Sequence, residues 1–467
     1  MNLVELLRAT AARQPDRPAL TDVARGRSLS YAALLGEVEA SGKALGAAGV
    51  RAPQRIALVG DDGVDYVAAA FAILAAGGCL VPIAAQLRAS EAAAIVDGID
   101  VNGVVRLCGD GRTWRFAWHD RERPAPDGFA DLDAAFVRFT SGTTAAAKGV
   151  ILSHRATIER IRAADAVLGL GREDRVLWTL PLAYHFAVTI PAYLGAGAHV
   201  LLCAEHQPAK LVAALAAQAA TLLYAAPVQL ERLAAVPGAP RLPALRRALS
   251  TAAPLSPETA ARFATVFGTE LGQAYGIIEA GLACINDRTD PRLAPTSVGP
   301  PVPGYDVAIA GEEGAQLGPG AQGEVLVRGP GLFDGYYTPW TPRAAALRNG
   351  WLATGDVGAL DSTGALTLLG RRKSTIVVAG LKFFPEEVEA CLATFPGVAE
   401  ARVFPRPHPR LGELPYADVV LSPGVRALDR AAIDAHCARH LSPYKVPVDF
   451  TVVGAVARTP GGKLLRR

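Results

Sequence analysis

Four short segments of this sequence carry residue types that can handle a phosphate ester. Residues 139–154 read FTSGTTAAAKGVILSH. They place hydroxyls at Thr140, Ser141, Thr143 and Thr144 around Gly142, with Lys148 following. Hydroxyls and glycine-exposed backbone N–H groups cradle phosphate, and a lysine offsets its charge. The spacing is not that of a Walker A loop, which needs Gly-Lys-Ser/Thr where this chain has Ala147-Lys148-Gly149. An ordinary polar turn has the same composition. Residues 272–279, GQAYGIIE, pair Tyr275, a ring that can stack on a planar base, with Glu279, a carboxylate that can hold a hard cation. A core ring before a turn looks the same. In residues 350–373, Asp356 follows a Thr-Gly turn, where a carboxylate accepts two ribose hydroxyls or caps the turn locally. Arg371 follows Gly370 in the same segment. In the tail, RTPGGKLLRR, Lys463 sits on a Pro-Gly-Gly turn and by itself is a basic terminus.

Elements of alternating type must position these groups. Residues 4–7 and 31–47 have helical patterns, and 55–59 and 79–83 are short buried strands. The same rhythm continues with a strand at 176–180, a helix at 210–219 and a strand at 221–224, which predicts βα units and mostly parallel sheets. An apolar strand at 135–137 leads into the hydroxyl-rich loop. Residues 297–370 change character, with many glycines and alternating runs at 324–327 and 365–369, and predict a β-rich subdomain. From 371 onward, strand and helix alternate in a compact α+β unit, with helices at 386–394 and 429–440. No fixed-period repeat is present.

Composition narrows the class. The 467 residues are 51% hydrophobic and 19% charged, which excludes wholesale disorder and is enough for several domains. The formal net charge of +3 comes without like-charge blocks, so no nucleic-acid footprint is expected. Six cysteines without CxxC spacing make no disulfide framework, and the eight histidines show no HExxH pattern. The start carries Glu5, Arg8 and Arg13 where a signal peptide needs an apolar core, and a cytoplasmic location is expected. Two uncharged stretches, 67–85 and 187–204, are broken by glycine and proline. Each is expected to be a buried helix running into a buried strand, not a membrane span.

Taken together, the four segments keep a fixed order with SVGPPVPG at 297–304, GEVLVRGP at 323–330 and FFPEEVE at 383–389. This series resembles the adenylate-forming superfamily of acyl-CoA synthetases, peptide-synthetase adenylation domains and luciferases, over nearly the whole chain. The resemblance implies an α/β fold: a large N-terminal core at 1–370, with mostly parallel sheets and a β-rich subdomain, and a small mobile α+β lid at 371–467. It implies ATP and Mg2+ as cofactors. Thr140, Ser141, Gly142, Thr143, Thr144 and Lys148 match the phosphate loop, and Ala252, Ala253 and Pro254 the segment lining the adenine. Tyr275 matches the adenine-stacking ring, Glu279 the magnesium ligand, Asp356 the ribose carboxylate and Arg371 a second ribose and phosphate contact. Lys373 matches the hinge and Lys463 the catalytic lysine.

The chain departs from the family pattern at three places. Ala145 and Ala147 replace the usual glycine and proline of the phosphate loop, Ile278 replaces the usual threonine before Glu279, and Thr251-Ala252-Ala253-Pro254 replaces Gly-Gly-Ala-Pro. The lost threonine hydroxyl removes a phosphate contact worth roughly 1–3 kcal/mol.

Residues 178–200 match the segment lining the acid pocket, with Tyr184, His185 and Phe186 at its mouth and Ala225, Ala274 and Gly276 completing it. No Asp or Glu occurs between 176 and 204, so an α-ammonium would find no partner there. The expected substrate is an aromatic or medium-length apolar carboxylic acid. The expected acceptor is the thiol of CoA or of a carrier protein's phosphopantetheine. Gly380 matches a glycine beside the pantetheine, and Arg402, Arg406, His408 and Arg410 form a basic cluster that suits phosphates or an acidic carrier. Two other readings stay open at this point. One is adenylation of an unusual small acid with a non-thiol acceptor, as in ATP-dependent diazotases that use nitrite and an aryl amine. The other is a non-catalytic nucleotide-binding scaffold, against which Lys463, Asp356 and Glu279 weigh.

Overall fold

The structure, a computed structural model, describes residues 2–108, 114–139, 148–205, 207–251, 253, 255–379, 381–458 and 464–465. The chain divides into two compact units, 1–306 with 327–352, and 307–326 with 353–467.

The first unit holds two eight-stranded sheets. The inner strands of one sheet run Leu271–Ile277, Arg247–Ser250, Leu222–Ala225, Arg175–Trp178, His199–Leu202 and Pro18–Asp22, all parallel to their neighbours. Antiparallel partners, Gly281–Asn286 and Arg27–Ser30, close its two edges. The other sheet has a parallel centre of Ala134–Phe139, Cys79–Ala84, Arg55–Gly60 and Gly103–Leu107. Its remaining pairings are antiparallel, including Gly149–Ser153 against both Ala134–Phe139 and the short strand Gly335–Tyr336. The βα rhythm of the sequence thus finds its parallel cores, while the return strands at the edges make both sheets mixed.

Local chemistry explains these elements. The helix Tyr31–Ala47 starts where the Ser30 side chain accepts a bond from Ala33 N at 3.2 Å. The stretch 67–85 is the almost wholly buried helix Val64–Ala75 followed by the strand Cys79–Ala84. The stretch 187–204 is the helix Leu182–Ala196 followed by His199–Leu202. Among the described residues, no helix is long and apolar enough to cross a membrane.

The helix His154–Leu168 is capped by Ser153, whose oxygen accepts from Ala156 N at 3.0 Å. His154 is 4% exposed, and its Nδ1 accepts from Leu3 N at 3.2 Å. Burial pushes its pKa down to about 4. The unfolded chain binds this proton near pH 6.5 and the folded chain only near 4, so stability falls as pH drops through that window. Thermal melts between pH 7 and pH 4.5 should therefore show a steep drop in midpoint that His154→Gln flattens. An equal slope in both proteins would contradict this.

In the second unit, the strands Asp306–Ala310, Gln316–Leu317, Gln322–Arg328, Leu352–Leu360 and Leu366–Arg371 form a five-stranded sheet. A second sheet contains the long hairpin Val398–His408 with Gly412–Leu421, and the helices Pro385–Ala393 and Arg430–His440 accompany it. Ile376, Phe383, Val388, Leu392, Val403, Val419 and Ile433 form their shared core.

Candidate active site

Lys148 stands exposed immediately before the strand Gly149–Ser153. The residues Thr140, Ser141, Gly142, Thr143 and Thr144 of the expected phosphate loop lie outside the described residues, as do Ala252, Pro254, Gly380 and Lys463. Ala253 is described and exposed. Tyr275 lies on the strand Leu271–Ile277 opposite Cys284 and is 6% exposed. Gly276 follows it, and the backbone of Gly281 passes so close that no side chain fits. Glu279 is half-buried in the turn between the two antiparallel strands.

That turn is held by groups far away in sequence. Arg160, 2% exposed, donates from Nη1 to the Ile278 carbonyl at 2.9 Å, from Nη2 to that of Glu279 at 3.4 Å, and from Nε to that of Gly331 at 2.9 Å. Phe333 N donates to the Glu279 carbonyl at 2.7 Å. Gly331 must lack a side chain because a Cβ there would strike Arg160 and the Tyr305 hydroxyl. The Glu279 side chain accepts from the Tyr336 hydroxyl at 3.2 Å, and the Lys148 ammonium lies 4.3 Å from the centre of the Tyr336 ring. The lysine and the carboxylate that the sequence placed in one site thus meet on one tyrosine. A carboxylate oxygen is the hard donor that Mg2+ prefers, so Glu279 fits that ion.

Arg138, near the end of the strand Ala134–Phe139, is a residue the sequence reading missed. Burial lowers its pKa to about 10, while Tyr66, Glu279 and Tyr184 act to raise it, so it stays charged at neutral pH. An arginine inside the apolar run AAFVRF was the available signal.

The segment expected to line the acid pocket folds as the helix Leu182–Ala196, whose first turn is fixed by Leu182 N donating to Asp62 Oδ1 at 3.0 Å. The His185 ring stands 6.0 Å from that of Trp178, and Trp178 stacks on Tyr224 at 5.9 Å with an 8° tilt. The Tyr224 hydroxyl donates to Thr251 Oγ1 at 2.9 Å, and Thr251 N donates to the Ala225 carbonyl at 3.2 Å. Phe186 turns away into the core, 5.4 Å from Phe71 and 6.1 Å from Phe136. Tyr184 is half-buried, and Ala274 is buried on the strand that carries Tyr275. Trp178 Nε1, Thr179 Oγ1 and Ser250 Oγ are buried without a hydrogen bond. These polar atoms lie at the C-terminal ends of parallel strands, the usual ligand edge of an α/β sheet.

In the second unit, Asp356 and Arg371 face each other across the antiparallel ladder, and Arg371 Nε lies 2.6 Å from Asp356 Oδ1. Asp356 is 6% exposed. Lys373 is exposed in the short turn Arg372–Ser374 just beyond. Of the basic cluster, Arg402 pairs with Asp418 and donates to the Leu465 carbonyl at 2.7 Å. His408 Nδ1 accepts from Arg410 N and Leu411 N at 3.3 and 3.1 Å, and Arg406 lies 4.3 Å above the Tyr416 ring.

Residues 7–337 match the model of the AMP-binding enzyme family, and residues 387–463 match the AMP-binding enzyme C-terminal domain. The chain is 30% identical over 496 residues to a sulfoacetate–CoA ligase of Cupriavidus necator, covering 99% of this chain and 96% of the other. It is 30% identical over 462 residues to a feruloyl-CoA synthase of Amycolatopsis, covering 94% and 93%. The amide bond synthetase McbA of Marinactinospora thermotolerans superposes with a TM-score of 0.83 at 27% identity, covering 99% and 98%. The chain thus belongs to the AMP-binding enzymes of the adenylate-forming superfamily and is an AMP-forming acid ligase.

Proposed function

We propose that this ligase activates an aromatic or medium-length apolar carboxylic acid and passes the acyl group to a thiol, that of CoA or of a carrier protein's phosphopantetheine. What supports the choice of acid is the ring cluster of Trp178, Tyr224 and His185, of which Trp178 and His185 lie in the stretch 176–204 that contains no Asp or Glu. Aromatic rings favour a planar or apolar body by burial and stacking. Trp178 Nε1, Thr179 Oγ1 and Ser250 Oγ would pair with polar atoms of the bound acid.

In the first half-reaction a carboxylate oxygen of the acid attacks the α-phosphorus of ATP. The new O–P bond replaces the bond to pyrophosphate, which leaves. Both reactants are anionic, so cations that bridge them lower the barrier. Lys148 is assigned to the phosphates, Lys463 to the oxygens that meet at the α-phosphorus, Asp356 and Arg371 to the ribose, and Tyr275 to the adenine. Glu279 would hold Mg2+, which would supply positive charge beside the triphosphate. In the second half-reaction the thiol sulfur attacks the acyl carbon, the thiol proton leaves, and AMP departs. We further propose that the lid 371–467, hinged at Lys373, withdraws Lys463 between the two steps.

A second reading is favoured by the likeness to an amide bond synthetase: the acyl group goes to an amine, not to a thiol. The test is a panel of acids with ATP, each supplied with CoA, a pantetheinylated carrier, simple amines, or nitrite with an aryl amine. Products are identified by mass. Thioester from aromatic or medium-length acids supports the proposal. Amide, or a diazo product from nitrite, supports a non-thiol acceptor. Nucleotide binding without AMP formation under any condition would leave only a scaffold.

A further inference from the structure

We propose that Tyr336 is a positioning residue that holds the Glu279 carboxylate and the Lys148 ammonium apart and ready for a metal–nucleotide complex. The inference rests on the reading of those two residues as the metal carboxylate and the phosphate cation.

The geometry assigns two tasks to one side chain. The phenol donates to Glu279 Oε1 at 3.2 Å, and its ring face meets Lys148 Nζ at 4.3 Å. A lysine and a carboxylate brought to one site attract each other, and a direct pair would neutralise both. Among the described residues, no ion pair joins Lys148 to Glu279. The phenol gives each charge a partner that leaves it charged. The carboxylate receives a neutral O–H donor and keeps Oε2 for a cation. The ammonium receives a π-face and keeps its N–H donors for phosphate oxygens.

The scaffold fixes Tyr336 for this task. The strand Gly335–Tyr336 pairs antiparallel with Gly149–Ser153, and Tyr336 lies opposite Val150, two residues after Lys148. Its ring packs 4.8 Å from that of Phe333, whose N–H is bonded to the Glu279 carbonyl. The side chain therefore links the end of the phosphate loop to the carboxylate turn, across 57 residues of sequence to Glu279.

Tyr336→Phe removes the donor and keeps the ring, while Tyr336→Leu removes both. Mn2+ binding to the enzyme with a non-hydrolysable ATP analogue, read by the loss of the free-ion EPR signal, reports the carboxylate without turnover. Metal-free binding of the analogue, by calorimetry, reports the lysine. Tyr336→Phe should weaken Mn2+ binding about tenfold, the value of one hydrogen bond to a charged group, and leave metal-free nucleotide affinity within about twofold. Tyr336→Leu should weaken both. Its far-UV spectrum checks the fold, and Tyr336→Phe, which still packs on Phe333, carries the decision. Wild-type Mn2+ affinity in Tyr336→Phe, beside a loss in Glu279→Gln, would overturn the inference alone. Wild-type Mn2+ affinity in Glu279→Gln would overturn the reading beneath it.

Discussion

Lys463→Ala should reduce acyl-adenylate formation by on the order of 10²–10³-fold while leaving transfer from a supplied acyl-adenylate nearly intact. The attack of a carboxylate on a triphosphate brings two anions together, and only a charge positioned in the transition state selectively lowers that barrier. In the sequence Lys463 directly follows Pro460, Gly461 and Gly462, and the wide backbone freedom of glycine suits the role proposed for it. Once the adenylate exists, the thiol step no longer involves that approach of like charges. The check is to measure both half-reactions separately, pyrophosphate release for the first and AMP release from synthetic acyl-adenylate plus thiol for the second. Equal losses in the two would contradict the assignment.

Asp356→Ala should raise the dissociation constant for ATP by about 10- to 100-fold, the loss of hydrogen bonds to a charged acceptor at roughly 1.5–3 kcal/mol. Asp356 is almost buried, and the pairing with Arg371 orients its carboxylate. The Thr354 hydroxyl accepts from Asp356 N at 3.1 Å and donates to the Val325 carbonyl at 2.8 Å, which ties the residue to the neighbouring strand. Removing the carboxylate deletes the proposed ribose acceptor and takes the anion away from Arg371. Asp356→Asn keeps an acceptor and should fall between the two. Calorimetry with ATP, and with its 2′,3′-dideoxy analogue, separates the causes. Wild-type protein should lose affinity for the dideoxy analogue, whereas Asp356→Ala should bind both nucleotides alike. A variant that still prefers the natural ribose would show that Asp356 does not read it.

Much of this site was legible because its chemistry demands rare residue types at short range. Hydroxyls, glycine and lysine must be close in sequence to wrap a phosphate, which is why residues 139–154 drew the phosphate reading, although 140–147 lie outside the described residues. Asp356 and Arg371 are 15 positions apart in the stretch read as β-rich, but their pairing across the antiparallel ladder appears only in the structure. The parallel strands followed from the alternation of short apolar runs with helical segments, which predicts βα units.

Other features were hidden because they depend on pairing between distant segments. Nothing around Tyr336 tells that its strand lies beside Gly149–Ser153, so its contact with Lys148 could not be read from spacing. Arg160 looks like one more helix arginine until Gly331 and Gly281 are seen to leave room for it. Tyr184, His185 and Phe186 are adjacent in sequence, but consecutive helical residues point about 100° apart. Hence His185 meets Trp178 while Phe186 enters the core. The mixed edges of both sheets were hidden for the same reason, since an antiparallel return strand has the same local pattern as a parallel one.

The central claim, that an acid displaces pyrophosphate from ATP on this chain, is tested most directly by isotope exchange. Protein, ATP, Mg2+ and a candidate acid are incubated with radiolabelled pyrophosphate, and label is counted in ATP. The account predicts exchange that requires the acid, is strongest with aromatic or medium-length apolar acids, and disappears in Lys463→Ala. Absence of label in ATP with every acid tried, from protein that still binds ATP, would contradict it.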